Sequence, residues 1–289
     1  MSEKEVDEHS GVETTGHEWD GIKELNNPLP RWWLIVFWVS VIWSIGYWIF
    51  MPAWPGITGY TKGIRNHSER ENVAVAIEAL DAARADDTRR LIAAPSMEAI
   101  ENDPDLLQFA MAAGGSLFGD NCATCHGAGG QGFKGYPNLN DDVWLWGGSL
   151  EEIKDTITVG RRSEHPETTN TLMMAYGRDG LLPRDDITAL VDYVRMLSGQ
   201  DYDAEAASRA APIYATQCIA CHGANGRGDK TQGAPDLTDA IWLYGGDRRS
   251  IYDTIWNGRA GVMPAWEGRL SEEEIIALSV YVHALGGGE

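Results

Sequence analysis

The chain has 289 residues, of which 43 are Asp or Glu and 23 are Lys or Arg, so its formal net charge at pH 7 is -20. Binding to nucleic acid requires clustered Lys and Arg side chains that neutralise phosphates, and this acidic balance excludes nucleic acid as an expected partner. An acidic surface either favours encounter with basic partner proteins or is only a solvated face of the protein. The length is sufficient for two domains of ordinary size.

Residues 1–31 are polar and rich in Asp and Glu. A segment that buries so little apolar surface is predicted to be a disordered acidic tail. His9 and His17 lie in this tail without neighbouring metal-ligating residues, so neither is expected to bind a metal.

An uncharged stretch of twenty residues follows, from Trp32 to Met51. At about 1.5 Å rise per residue, a helix of this length crosses the ~30 Å hydrocarbon core of a bilayer. Aromatic side chains at both ends are typical of interfacial belts, and Pro52 stops the helix. A cleaved signal peptide would need a shorter leader, a shorter apolar run and a small-residue cleavage site. Residues 32–52 are therefore predicted to be an uncleaved transmembrane helix.

Residues 53–102 are predicted to link this helix to the rest of the chain. The Ala-rich stretch from Glu71 to Ile92 has the pattern of a helix that ends before Pro95. This linker contains no recognisable site.

A five-residue motif, Cys-x-x-Cys-His, occurs at 122–126 and again at 218–222. It is the signature of c-type haem attachment, in which each thiol adds to a vinyl group and the histidine ligates the iron. The two motifs use all four cysteines of the chain, so none remains for a disulfide. A redox Cys pair or half a zinc site does not explain a histidine after the second cysteine, twice. We therefore expect two covalently bound haem c groups, attached at Cys122, Cys125, Cys218 and Cys221, with His126 and His222 as iron ligands.

An internal repeat surrounds the two motifs, because residues Asn138–Gly148 match Asp236–Gly246. Each half reads as helix, haem motif, Gly-rich loop, short helix, methionine loop and closing helix. The sequence therefore predicts an all-α chain in which one N-terminal transmembrane helix precedes two tandem class-I-like cytochrome c domains. The first domain is expected at residues 103–199 and the second at residues 200–289.

Helix signals subdivide each half. The sequence predicts helices that lead into the haem motifs and helices that close each half, over Pro104–Phe118, Pro183–Leu197, Ala204–Tyr214 and Ser271–Leu285. Ser271 and Glu274 have the spacing of a capping box at the start of the last helix.

A methionine opposite the histidine completes the coordination of many haem irons and raises the reduction potential. The candidate in the second half is Met263, in a loop before the last helix. In the first half Met173 aligns with Met263, whereas Met174 aligns with Pro264, so Met173 is the predicted ligand and Met174 the alternative. The ordinary role of such a residue would be to fill the core. Which methionine serves which haem stays open here, because adjacent duplicated domains can exchange ligand loops.

Four further residues are candidates for a role at these sites. Arg161 and Arg259 occupy matching positions, where they could pair with haem propionates or with surface carboxylates. His165 and His283 are expected to be surface or packing residues rather than replacement ligands.

The order of these segments resembles the di-haem subunit III (FixP/CcoP type) of cbb3-type cytochrome c oxidases. The resemblance covers nearly the whole chain and rests on the Trp-rich span, the paired haem domains, the stretch Trp54–Gly56 and the repeated Trp-Leu-(Trp/Tyr)-Gly-Gly motif. It implies a membrane-anchored relay that takes electrons from a donor cytochrome c. The electrons would pass to a mono-haem cytochrome subunit and to a catalytic haem-copper subunit, where oxygen is reduced to water. The chain would then be an electron-transfer subunit rather than an enzyme on its own.

The position of the haem motifs predicts the topology. Covalent haem c is assembled on the oxidising side of the membrane, whereas the positive charges that flank the span are balanced and set no orientation. We therefore expect a single-pass protein of the bacterial inner membrane, with a cytoplasmic N-terminus and periplasmic haem domains. Two alternatives stay open at this point: a di-haem cytochrome subunit of a periplasmic dehydrogenase, and a di-haem peroxidase, which needs an open iron position.

Overall fold

The computed structural model of the chain describes residues 5–287, and this part contains eleven helices and four short strands. The chain divides into two compact units, residues 1–82 and residues 83–289. The elements of the first unit are β1 (Thr14–Trp19), β2 (Ile22–Leu25), α1 (Arg31–Phe50), β3 (Pro55–Gly56), β4 (Gly59–Tyr60) and the start of α2 (Glu69–Ile92).

Strands β1 and β2 form an antiparallel hairpin within the acidic tail, with Trp19 paired to Ile22. The two turn residues, Asp20 at φ 52° and Gly21 at φ 83°, both have the left-handed backbone that a tight hairpin turn requires. The predicted disorder is therefore wrong for residues 14–25. The all-α class is likewise not confirmed for the whole chain, because strands β1 to β4 lie in its first unit.

Helix α1 is long and apolar enough to cross a membrane, with a mean hydropathy of 1.8 and none of its side chains buried. It begins directly after Pro30 and ends at Phe50, and the backbone becomes extended at the next residue, Met51. That ending follows from Pro52, because a proline restricts the preceding residue to extended conformations. The position of the helix agrees with the predicted span to within two residues at each end.

The second unit is helical in its described part. Its elements after α2 are α3 (Met97–Glu101), α4 (Pro104–Asn121), α5 (Ala123–His126), α6 (Leu150–Val159), α7 (Arg184–Leu197), α8 (Ala204–Gln217), α9 (Ile219–His222), α10 (Arg248–Asn257) and α11 (Glu272–His283). Short polar side chains at the N-caps explain where several helices begin. Asp103 caps α4 and Asp203 caps α8. The predicted capping box of Ser271 and Glu274 at the start of α11 is confirmed.

The closing helices are exchanged between the two halves of the repeat. α11, from the second half, packs on α4 and α6 of the first half, whereas α7, from the first half, packs on α8 and α10 of the second half. The ring pairs Phe118–Tyr281 and Tyr193–Tyr214, with centroids 5.4 Å and 4.8 Å apart, repeat the same contact in the two places. Each packed body therefore contains helices from both sequence halves. The expected domains, 103–199 and 200–289, do not coincide with these two bodies.

Helices α4 and α11 approach closely at Gly114, because a Cβ atom there would overlap the backbone carbonyl of Ala277 in α11. We call the body built on α4, α6 and α11 the first body, and the body built on α8, α10 and α7 the second body. The first body buries Phe118, Ile157 and Leu278 in one cluster. The second body buries Leu190, Tyr214 and Ile255 in another cluster.

Candidate haem sites

Each Cys-x-x-Cys-His motif forms a single helical turn at the end of a longer helix. In the first motif the backbone N–H groups of Cys125 and His126 both donate to the carbonyl of Cys122, at 3.1 Å and 2.9 Å. Gly127, at φ 81°, then turns the chain away in a conformation that favours glycine. The second motif repeats these features in α9, with Gly223 at φ 73°. The turn brings both thiols and the imidazole of each motif into one place.

The two motif histidines have the same orienting partner. Nδ1 of His126 hydrogen-bonds to the carbonyl oxygen of Pro137 at 3.0 Å, and Nδ1 of His222 hydrogen-bonds to that of Pro235 at 3.1 Å. A carbonyl can only accept, so Nδ1 carries the proton and Nε2 keeps its lone pair for a metal. Burial lowers the pKa of both histidines, which keeps the imidazoles in the neutral form that ligates iron.

The first thiol of each motif lies in an apolar environment. Burial raises the pKa of Cys122 and of Cys218 to about 11. A sulfur that is poorly solvated in this way is an unfavourable place for a thiolate and a suitable place for an uncharged thioether. The donor set therefore fits covalent haem attachment.

A cavity of about 420 Å³ adjoins the second motif. Cys218, Cys221 and His222 line it on one side, and apolar residues of α7 and α10 line it further on, including Leu190 and Ile255. Such a predominantly apolar wall around a thiol pair and an imidazole fits a haem macrocycle. The methionines that line this cavity are those of the first half, Met173 and Met174.

Met263 lies instead with the first motif. Its side chain packs against the buried cluster of the first body, which also contacts Cys122 and Trp144. Met173 packs against the buried cluster of the second body, together with Cys218 and Trp242. Each methionine loop therefore accompanies the haem motif of the other half.

A reciprocal pair of backbone bridges holds these loops in place. Met263 donates its N–H to the carbonyl of Arg161 at 3.0 Å and accepts from the N–H of Arg161 at 2.9 Å. Met173 and Arg259 make the same two bonds at 2.9 Å and 3.0 Å. Because Arg161 follows α6 and Arg259 follows α10, the bridges tie each methionine to the body that contains the other motif.

The two methionines of the first-half loop differ in burial. Met174 is 50% exposed, whereas Met173 is partly buried against the cluster of the second body. A buried thioether has fewer conformations to lose on binding a metal. The packing thus favours Met173 over Met174 as the candidate iron ligand.

The two further histidines hydrogen-bond to carboxylates. Nε2 of His165 lies 2.6 Å from Glu267, and Nδ1 of His283 lies 2.7 Å from Glu101. Neither histidine is among the residues that line the cavity of the second motif. These contacts support their interpretation as packing residues.

The paired arginines lie against aromatic rings, Arg161 buried and Arg259 partly buried. The guanidinium of Arg161 lies 4.9 Å from the ring of Trp146 and donates to Asp155 at 2.9 Å, while that of Arg259 lies 3.9 Å from the ring of Tyr244. Nε of Arg161 is buried and has no hydrogen-bond partner among the described residues. Buried donors are nearly always paired, so this atom fits an acceptor such as a haem propionate oxygen.

Two groups of residues at the haem sites were not predicted from the sequence. One is the pair of carbonyls at Pro137 and Pro235, although their matching positions in the repeat were a usable signal. The other is Arg162, which lines the cavity of the second motif from the first half. Nothing in the local sequence indicates that the side chain of Arg162 extends to the second motif.

These features define a class: a c-type cytochrome with two haem-attachment motifs and one apolar helix near its N-terminus. Family models match three parts of the chain. "N-terminal domain of cytochrome oxidase-cbb3, FixP" covers residues 11–58, "Cytochrome c" covers 111–198, and "Cytochrome C oxidase, cbb3-type, subunit III" covers 205–282.

Similar proteins extend over the full length. A "Cbb3-type cytochrome c oxidase subunit FixP" from Bradyrhizobium sp. (strain ORS 278) is 55% identical over 99% of this chain and 98% of that relative. A "Cbb3-type cytochrome c oxidase subunit CcoP" from Azospirillum brasilense is 50% identical over 100% of both chains. The chain therefore belongs to the FixP/CcoP family of cbb3-type cytochrome c oxidase subunits.

Membership of this family confirms the resemblance and the electron-transfer role predicted from the sequence. The chain is a cytochrome c subunit of an oxidoreductase complex, its domains carry covalently bound haem c, and its partners include other oxidase subunits. Its candidate membrane-spanning helix, α1, fits a membrane protein.

Proposed function

We propose that the chain holds two covalent haem c groups whose methionine ligands are exchanged between the halves, and that it relays electrons within a cbb3-type oxidase. The observation that carries this proposal is the reciprocal bridging of Met263 with Arg161 and of Met173 with Arg259. The donor is a cytochrome c. The acceptors are the mono-haem cytochrome subunit and then the catalytic haem-copper subunit, where oxygen is reduced to water.

In this proposal each iron has ligands from both halves. The first haem would be held by Cys122 and Cys125 as attachment points, with His126 and Met263 as iron ligands. The second haem would be held by Cys218 and Cys221 as attachment points, with His222 and Met173 as iron ligands. The burial of Met173 relative to Met174 supports this choice of ligand.

The chain's own residues provide the conditions for electron transfer. A haem supplies one-electron storage, and a thioether ligand favours its reduced form. The carbonyls of Pro137 and Pro235 fix the imidazoles, so a change of charge at the metal does not reorient them. Apolar residues of the exchanged helices exclude water from the sites, and a dry site also favours the state of lower charge.

The proposed topology is single-pass in the bacterial inner membrane. α1 crosses the bilayer, residues before it are cytoplasmic, and the helical unit that contains both motifs is periplasmic. Haem attachment on the oxidising side supports this orientation. A tag placed before α1 should be accessible only after the inner membrane is broken, and one placed after residue 287 should be accessible from the periplasm.

A single-haem variant tests the exchange of ligands. In a chain that carries Cys218→Ala and Cys221→Ala, the remaining haem is attached at the first motif. Met263→Ala should convert that haem from low-spin to high-spin in visible and EPR spectra, whereas Met173→Ala should leave it low-spin. The opposite pattern would show that each half uses its own methionine.

A further inference from the structure

Arg162 has an unusual backbone. Among the described residues after the unit boundary at residue 83, it is the one non-glycine residue with a positive φ, at 54°. L-residues avoid this conformation, and it persists where the surroundings determine it. Here the N–H of Arg162 donates to the carbonyl of Thr169 at 3.0 Å, which fixes the loop that follows α6.

This backbone sends the side chain of Arg162 across the repeat. Its Nε donates to the carbonyl of Gly261 in the second half, and one terminal nitrogen donates to the carbonyl of Thr171 at 2.8 Å. The guanidinium also lies 5.5 Å from the ring of Trp146. The backbone and the guanidinium of Arg162 are therefore both held by hydrogen bonds, and the side chain lines the cavity of the second haem motif.

The two halves of the repeat differ at the position of Arg162. Arg161 and Arg259 match each other in the repeat, but the residue that matches Arg162 is Ala260. The cavity of the second motif is therefore lined by two guanidinium groups, those of Arg162 and Arg259. The carboxylate that lines it, Asp236, is already paired with Arg227 at 3.3 Å.

In the first body the corresponding positive charge is compensated. The guanidinium of Arg161 donates to the carboxylate of Asp155 at 2.9 Å. Arg259, at the matching position, donates to the hydroxyl of Thr254, which carries no charge. Among the described residues Arg259 therefore has no carboxylate partner, and its charge at the second motif is not neutralised by an ion pair.

The guanidinium of Arg162 is partly buried. Burial lowers the pKa of Arg162, Tyr244 acts in the opposite direction, and the neighbouring guanidinium of Arg161 lowers the pKa further. A guanidinium nevertheless keeps its proton at neutral pH, so a fixed cation lies in a partly desolvated place. Electrostatic effects are strongest where water is scarce.

We infer that Arg162 raises the reduction potential of the haem at the second motif, acting from the other half of the repeat. Reduction adds one electron and lowers the charge of the iron centre by one, so a fixed nearby cation stabilises the reduced form relative to the oxidised form. The inference rests on the proposed function, because it requires a redox-active haem at Cys218 and Cys221. It adds that the two haems are tuned by different charges.

The test is a redox titration of the whole oxidase complex, followed by haem c absorbance. Met173→His and Met263→His first assign the two haem c transitions of this chain, because loss of a thioether ligand lowers the potential of the haem concerned. Arg162→Gln should then lower the potential of the transition that Met173→His lowers. The transition that Met263→His lowers should stay within error of the unmodified protein.

Two variants separate charge from structure. Arg162→Lys keeps the charge but loses the planar fork, and it should restore most of the potential lost in Arg162→Gln. Ala260→Arg should raise the potential of the transition assigned by Met263→His. This second variant does not depend on whether Arg162→Gln folds.

The matched control is Arg184→Gln. Arg184 also stacks on an indole, that of Trp256 at 4.8 Å, but it does not line the cavity. This variant should move neither potential.

Two results would overturn the inference. One is an unchanged potential in both Arg162→Gln and Ala260→Arg, in protein that retains two haems. The other is a shift of both transitions by Arg162→Gln and Arg162→Lys alike, with a lower melting temperature, which would indicate a structural role. Failure of the proposed function has a different signature, namely absence of covalent haem or no response of either transition to Met173→His.

Discussion

The two bodies of the helical unit have different kinds of contact at one pair of matching positions. Leu150 at the start of α6 and Val280 in α11 are buried in one apolar cluster of the first body. The corresponding residues of the second body are Arg248 at the start of α10 and Asp192 in α7, and they form an ion pair. The backbone arrangement is the same, but one contact is apolar and the other is charged.

The difference follows from what covers each contact. In the first body, Leu91 of α2 and Ile100 of α3 belong to the same cluster as Leu150 and Val280. The linker therefore supplies an additional apolar layer, and a charged pair beneath it would lose its hydration. Among the described residues the ion pair of the second body is less enclosed, because Arg248 is half exposed while Asp192 is buried. The two bodies thus have the same packing geometry. The residue types at this contact differ because the residues that cover it differ.

The largest expected effect comes from separating the halves. A chain of residues 83–199 contains α4 and α6 but lacks α11, so Phe118 and Ile157 lose the helix that buries them. We expect no cooperative thermal transition by circular dichroism for residues 83–199 alone. Co-expression with residues 200–289 should restore one. A stable, low-spin haem protein made of residues 83–199 would contradict the exchange of closing helices.

Core truncations sharpen the comparison at the next level. Leu278 of α11 is 0% exposed and Leu190, at the matching position of α7, is 1% exposed, so each alanine variant should cost about 2–5 kcal/mol in denaturant unfolding. Leu278→Ala should disturb the spectrum of the haem at the first motif, although α11 belongs to the second half. Leu190→Ala is the matched variant and should disturb the other haem. Disturbance of the haem in the same sequence half would argue against the exchange.

Removing the ion pair should have a smaller effect. Asp192 accepts hydrogen bonds from Arg248 and from the N–H of Asp203, and Arg248 is half exposed. Asp192→Asn should therefore cost about 1–2 kcal/mol, because water partly screens the pair. Val280→Ala in the first body, measured under the same conditions, removes apolar packing and serves as the contrasting variant.

The same pair predicts a pH dependence. Hydrogen bonds from Arg248 hold the pKa of Asp192 below its usual 3.8. A depressed carboxyl pKa stabilises the folded state at pH values above 3.8, and this stabilisation is lost as the pH falls through the folded-state pKa. The difference in unfolding free energy between the unmodified protein and Asp192→Asn should therefore shrink below that pH. A constant difference from pH 6 to pH 3 would show that the charge contributes nothing.

The smallest predicted effect concerns helix starts. Ser271 and Glu274 form a capping box on α11, whereas the matching N-cap of α7 is Pro183, which offers no side-chain acceptor. Ser271→Ala should cost about 1 kcal/mol in unfolding free energy. Pro183→Ala should cost less, since no cap bond is lost, and an equal cost would show that the box adds no stability.

Local features of the helical unit were predictable from the sequence. Helix α4 begins at Pro104 and α8 begins at Ala204 as expected, because proline at a first turn and Asp at an N-cap are strong local signals. The haem motifs and their matching methionines were likewise visible, because a fixed spacing encodes their chemistry. The hairpin at residues 14–25 was missed, although its Asp-Gly turn was a readable signal beneath an acidic composition.

The exchange of closing helices could not be predicted from the sequence. The apolar stripe of α7, with Ile187 and Leu190, is equivalent to that of α11, with Ile275 and Leu278. Either stripe therefore suits α4 or α8, and periodicity does not distinguish the two partners. The position of the Arg162 side chain at the second haem motif could not be predicted either. Its left-handed backbone and its hydrogen bonds to Gly261 and Thr171 arise only in the folded chain.

The most direct measurement is an experimental structure of the haem-loaded protein within its oxidase. We predict that the thioether sulfur of Met263 ligates the iron of the haem attached at Cys122 and Cys125, and that Met173 ligates the iron of the other haem. Met173 on the haem of its own half, with Met263 on the second haem, would contradict the account.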